Sequence, residues 1–134
     1  MNGTSVIAEL ARHLGLPTEA LDDAQPRRVE LSVGIPLEWR WVAPLPALCL
    51  AIPLGQVLGH RRDETLSNAL AANLYLADGG HPHYALSPQD DTLYLCRTLS
   101  GEGLDAPQAI AAIEQLTEAA LQARQALRQQ LMLD

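Results

Sequence analysis

The chain is predicted to adopt an α+β fold, an antiparallel twisted sheet flanked by helices, and three observations predict it. From Val29 to Trp41 every odd position is apolar (Val29, Leu31, Val33, Ile35, Leu37, Trp39, Trp41), with Glu30, Ser32, Gly34, Pro36, Glu38 and Arg40 between them. Period-two alternation places one set of side chains on a buried sheet face and the other in water. A second strand–turn–strand pattern runs from Tyr84 to Leu99, and helical periodicity is confined to separate segments before and after these strands.

Taken in order, Val6, Ile7, Leu10, Ala11 and Leu14 recur at helical spacing, with Thr4 or Ser5 to cap the start and Gly15-Leu16-Pro17 to stop the end. Thr18 to Arg28 is polar and acidic and reads as a loop. The alternating run is too long for one ordinary strand, and Gly34-Ile35-Pro36 interrupts it. A hairpin loop there sets Val33 opposite Leu37, Leu31 opposite Trp39 and Val29 opposite Trp41, so that partners share a face.

A third strand is expected over Ala47 to Leu54. Leu48, Leu50, Ile52 and Leu54 occupy one parity and Ala47, Cys49 and Ala51 the other, so it is covered on both sides or central; Pro53 is expected to end its pairing. After a connection from Gly55 to Arg62, Asp63 caps a helix reaching Ala77, stopped by Asp78-Gly79-Gly80. Leu66, Ala69, Leu70, Asn73, Leu74 and Ala77 form one face, and Ala72, Tyr75 and Leu76 widen the apolar surface toward a second neighbour. Tyr84–Leu86 and Thr92–Leu99 form a hairpin around Ser87-Pro88-Gln89-Asp90-Asp91. Asp105 and Gln108 then make a capping box, and a last helix runs from about Ala106 to Leu131 with Ile110, Ile113, Leu116, Ala120, Leu127 and Leu131 on one side. The order is α-β-β-β-α-β-β-α, with no internal repeat and no linker long enough to divide residues 1–134 into two domains.

Composition narrows the function. The chain carries 16 acidic residues against nine basic ones, a net charge of −7, and the nine are all Arg. Nucleic acid and anionic membrane surfaces both reward Lys/Arg-rich patches, so neither is an expected partner. Val42 to Leu54, the longest apolar run, is broken by Pro44, Pro46 and Pro53 and is too short to span a bilayer. Cys49 and Cys96 lie inside strand-like runs without CxxC spacing and read as reduced core thiols. A cytoplasmic location follows from these features as an expectation.

Catalytic signatures are lacking: the sequence holds no phosphate-cradling GxxxxGK[ST], no GxGxxG, no HExxH and no GxSxG. His81 and His83, with Asp78 and Asp90 nearby, imitate a metal site, but Pro82 separates them and no Cys or third His falls at ligand spacing, so a polar loop is the reading taken. Asp22-Asp23 and Asp90-Asp91 sit in turn-like segments as solvated charges. No enzyme, cofactor or metal is expected. What rises above background is apolar surface: Trp39 and Trp41, the two-sided helix at 63–77, and the Leu10/Leu14/Leu16 face.

One family resemblance adds to this reading. Leu70-Ala71-Ala72-Asn73-Leu74 closing a helix, then Asp78-Gly79-Gly80, then Tyr84-Ala85-Leu86-Ser87-Pro88-Gln89-Asp90-Asp91-Thr92-Leu93-Tyr94-Leu95, resembles the class I, effector-dedicated chaperones of bacterial type III secretion. The short leading helix with its Leu14-Gly15-Leu16-Pro17 end, the acidity and the element order extend the likeness over nearly the whole chain. His81-Pro82-His83 and the Pro44/Pro46/Pro53 segment depart from it. The resemblance implies a non-enzymatic homodimer, without nucleotide, that binds the N-terminal chaperone-binding segment of a secreted effector in extended form. It implies a dimer interface drawing on Leu66, Leu70, Leu74 and Tyr75, and effector contact through Leu10, Leu14, Leu16, Leu31, Val33, Leu37 and Trp39. The competing expectation is a regulatory protein that sequesters a folded partner, in the manner of an anti-activator.

Overall fold

A computed structural model of the chain describes residues 27–30, 35–42, 47–75, 82–130 and 132–133. The leading helix with Leu10, Leu14 and Leu16 lies outside them, as do Leu31, Val33 and the end of the middle helix beyond Tyr75. The elements are β1 (Arg27–Glu30), β2 (Pro36–Val42), β3 (Ala47–Gln56), a short 3-10 turn (Gly59–Arg61), α1 (Arg62–Tyr75), β4 (His83–Ser87), β5 (Thr92–Ser100) and α2 (Ala106–Gln129). Among the described residues the strands form one sheet in the order β1-β2-β3-β5-β4, which makes β3 central, as its doubly apolar pattern requires. Two compact units are distinguished: Met1–Leu50 with Thr98–Gln115, and Ala51–Arg97 with Leu116–Asp134.

In the first unit β1 and β2 pair antiparallel, but four residues away from the expected register. Leu37 faces Val29 rather than Val33, Trp39 faces Arg27, and Pro36 faces Glu30. The displacement is an even number of residues, so the buried parity survives. Ile35, Leu37 and Trp39 are all buried, whereas Glu38 is half-buried and Arg40 exposed. The cause is Ile35: a tight loop through Gly34-Ile35-Pro36 would leave it in water, whereas in the observed register it is buried. Pro36 then begins β2, where a missing N–H is tolerated. The same unit holds Leu48 and Leu50 of β3 and the first half of α2, with Ala106, Ala109, Ala112 and Ile113 buried. The capping box forms as expected: Gln108 N–H donates to Asp105 Oδ1 (2.9 Å) and Asp105 N–H to Gln108 Oε1 (3.2 Å). Just before it, Gly103 adopts φ +69°, a left-handed conformation that costs a side-chain-bearing residue about 1–2 kcal/mol.

In the second unit β3 runs on to Gln56, past the expected stop at Pro53. A proline removes one donor only, and Ile52 and Leu54 on either side of it are buried. Beyond the strand, Val57 N–H donates to Asp91 O (2.9 Å) and Gln56 Nε2 to Asp90 O (3.1 Å), tying the strand end to the β4–β5 turn. That hairpin pairs Ser87 with Thr92 and Tyr84 with Leu95. Asp91 sits at φ 55°, and Asp90 Oδ1 accepts the Thr92 N–H (3.1 Å).

The last helix ends at Gln129, short of the expected Leu131. The chain then doubles back: Met132 N–H donates to Leu127 O (2.9 Å), Leu58 N–H to Met132 O (3.1 Å), and Leu133 forms a bridge with Val57. Met132 and Leu133 are both buried, which a helix continuing into solvent would not achieve.

Candidate partner-binding surface

Helix α1 carries the most exposed large apolar side chains among the described residues, and its orientation decides which ones. Its start differs from expectation. The 3-10 turn precedes it, and Asp63 lies in the first helical turn with Glu64 rather than at the cap, where both carboxylates complement the positive end of the helix. Arg61 Nε donates to Glu64 Oε2 (2.8 Å) and holds the Glu64 carboxyl below its ordinary pKa. Arg61 Nη1 reaches the Gln130 carbonyl (3.0 Å) at the far end of α2, a cation placed where that helix is negative. Arg62 Nε lies 3.4 Å from Asp91 Oδ1, and Thr65, fully buried, donates its hydroxyl to Arg61 O (2.8 Å).

The inward side of α1 consists of Thr65, with Leu66, Ala69, Ala72 and Asn73 half-buried. Asn73 sets the geometry. Its Nδ2 donates to the Tyr84 carbonyl (2.9 Å), and its Oδ1 accepts the Tyr84 N–H (2.7 Å). In an antiparallel ladder, residues alternate between pointing both backbone groups at the partner strand and pointing both away. Tyr84 is one that points away from β5, and the carboxamide takes the place that a neighbouring strand would occupy. Beside it the Tyr84 phenol is pushed up from its ordinary pKa by burial.

With Asn73 bound to β4, Leu70 and Leu74 face outward, 70% and 75% exposed. They are four residues apart on one helix face and so form a contiguous apolar pair. Sequence periodicity had put Leu66, Leu70, Asn73 and Leu74 on one face; the structure separates Leu66 and Asn73, half-buried, from Leu70 and Leu74, exposed. Tyr75 is the last residue of the helix.

The expected effector-contact residues divide differently. Leu37 and Trp39 are buried in β2, at 0% and 3% exposure, and the other five lie outside the described residues. The Trp39 indole N–H is buried without an acceptor among the described residues. His83 lies on β4, half-buried, while His81 falls outside the described residues. Among the described residues no three His, Cys, Asp or Glu side chains gather as metal ligands. No helix among them is long and apolar enough to cross a membrane. Asp90 is exposed on its turn, its carboxyl held below the ordinary pKa first by the Thr92 backbone N–H and then by the Thr92 and Ser87 hydroxyls.

Sequence reasoning assigned Asn73 no partner and missed the returning Met132-Leu133 segment. The signal for the first was available: an amide side chain on the inward face of an apolar helix must find partners.

Solved structures share this arrangement. A chain of the ExsC–ExsE complex superposes with a TM-score of 0.68 at 19% identity, over 90% of this chain and 92% of that one. The Yersinia pestis type III secretion chaperone SycH, solved with a stable fragment of YscM2, gives 0.66 at 20% identity over 89% and 97%. A chain of the ExoT–SpcS complex from Pseudomonas aeruginosa gives 0.64 at 22% identity over 91% and 98%. Curated protein sequences contain no match. The sequence profile of one family covers residues 5–128, and by that match the chain belongs to the Tir chaperone protein (CesT) family.

Proposed function

We propose that residues 1–134 act as one chaperone domain for a type III secreted effector, binding the effector's N-terminal segment in extended form and keeping it stable and competent for secretion. The family match across residues 5–128 carries this reading. It is supported by solved structures of the same fold that are complexes, among them SycH with a YscM2 fragment, the HopA1–SchA chaperone–effector complex and the ExoT–SpcS complex. The role is a binding role without a chemical step, exercised in the bacterial cytoplasm by a homodimer. The exposed Leu70–Leu74 pair supports self-association, because adjacent leucines at this exposure gain by leaving water. An extended segment would gain from strand addition and from apolar side chains seated in pockets.

The test is co-expression of the chain with the N-terminal segment of the effector encoded beside it, followed by copurification and light scattering. A stable complex of two chains per segment is expected. Capture of a folded regulator in place of the segment would establish the anti-activator alternative and overturn this reading.

A further inference from the structure

Helix α2 ends where its sequence supplies no stop. Past Gln129 the chain reads Gln130-Leu131-Met132-Leu133, residues of high helix propensity with no Gly, Asn or Pro among them. Leu127 and Leu131, four apart, would also continue the apolar side of the helix. Met132 and Leu133 lie instead against the end of β3. Leu133 bridges Val57, Met132 O accepts the Leu58 N–H (3.1 Å), and Arg61 Nη1 donates to Gln130 O (3.0 Å). Met132 and Leu133 are 3% and 4% exposed, and Val57 6%. Local propensity therefore favours one conformation of this segment and burial the other, and such conflicts gather at functional elements. Once the segment leaves, α2 offers it a helix to continue. Val57 then loses its cover and the Leu58 N–H its acceptor, while the Val57 N–H stays on Asp91 O (2.9 Å).

We infer that the segment after α2 is a displaceable strap, and that the Val57–Leu58 edge beneath it receives an extended stretch of the client carrying two adjacent large apolar residues. The strap itself defines that chemistry: two neighbouring apolar side chains that bury, and the carbonyl of the peptide linking them, which takes the Leu58 N–H. A guest of this kind adds to the edge through its backbone and fills the two apolar places. While the strap is closed only the open fraction of molecules binds, so the apparent affinity falls by that fraction. The identity of the guest as the client rests on the chaperone reading; the strap does not.

The experiment uses the full chain and a fluorescein-labelled peptide, Gln-Gln-Leu-Met-Leu-Asp, with Gln-Gln-Ser-Ser-Ser-Asp as control. Leu133→Ser weakens the strap and is expected to bind the first peptide about tenfold more tightly than the unaltered chain, by fluorescence anisotropy, and the control not at all. In this variant the Leu58 amide exchanges faster with deuterium, and the peptide protects it again. Val57→Cys with Leu133→Cys, in a Cys49→Ser, Cys96→Ser background, closes the strap covalently, because opposed residues of an antiparallel bridge lie within disulfide reach. The oxidised chain is expected to lose the peptide and the reduced chain to regain it, which separates closure from misfolding. Binding that the disulfide leaves unchanged, a Leu58 amide that the peptide does not protect, or no gain in a folded Leu133→Ser chain overturns the proposal. So does a change from dimer to monomer on oxidation, measured by light scattering, because the strap would then pass between copies. The effector's N-terminal segment is tried on the same locked chain and is expected to bind better after reduction. Equal capture before and after overturns the strap, whereas no capture by any form, the unaltered chain included, overturns the chaperone reading alone.

Discussion

A single carboxamide fixes how α1 is turned. The Asn73 side chain satisfies both outward-facing backbone groups of Tyr84 and thereby leaves Leu70 and Leu74 in solvent. Asn73→Ala removes both hydrogen bonds and strands a donor and an acceptor, so a loss of about 1–3 kcal/mol is expected in urea unfolding. The Tyr84 amide should exchange faster with deuterium in the same variant. Asn73→Asp keeps the acceptor and loses the donor, and is expected to fall between the two. No change in either measurement for the alanine variant would show that the clamp contributes nothing in solution. Elsewhere, Asp105 and Gln108 were legible from their spacing alone, because a capping box is a local device with both partners three residues apart. The partner of Asn73 was not legible, because Tyr84 lies eleven residues away across a change of element.

Among the elements, α1 and the β1–β2 hairpin show how far periodicity reaches. The parity of β2 was readable, and the structure keeps it: Leu37 and Trp39 are buried and Arg40 is exposed. The register was not readable, because displacement by an even number of residues leaves every side chain on the same face and only the burial of Ile35 separates the alternatives. On α1 the apolar residues cover more than one stripe, so hydrophobicity alone could not say which leucines face out. Their exposure makes a prediction at this scale. Leu70→Ser and Leu74→Ser should each change the stability of the isolated fold by no more than about 0.5 kcal/mol, as for surface substitutions in general. The double variant is expected to shift the light-scattering mass from dimer toward monomer. A dimer of unchanged affinity would remove this pair from the interface.

On the scale of the whole molecule, two features arise only from the assembled chain. One is the strand order β1-β2-β3-β5-β4, which puts the doubly apolar β3 at the centre. The other is the return of the C-terminal segment, where Leu133 bridges Val57 and is buried at 4% exposure. Leu133→Ala is expected to destabilise the fold by about 2–4 kcal/mol in thermal or urea melts, as cavity-creating substitutions do. A loss under about 0.5 kcal/mol would mean that the segment adds no packing. The net charge of −7 acts at this scale as well, biasing which charged segments approach the chain.

The sequence by itself determined the α+β class, the strand parities, the β4–β5 turn, the α2 cap and the family resemblance. All of these depend on residues close together in the chain or on the pattern as a whole. The tertiary structure alone decided the β1–β2 register, the clamp of Asn73 on Tyr84, the outward turn of Leu70 and Leu74, and the folding-back of Met132 and Leu133. Each is a choice between local arrangements of nearly equal energy, and it is settled by burial or by a hydrogen bond to a residue far along the chain.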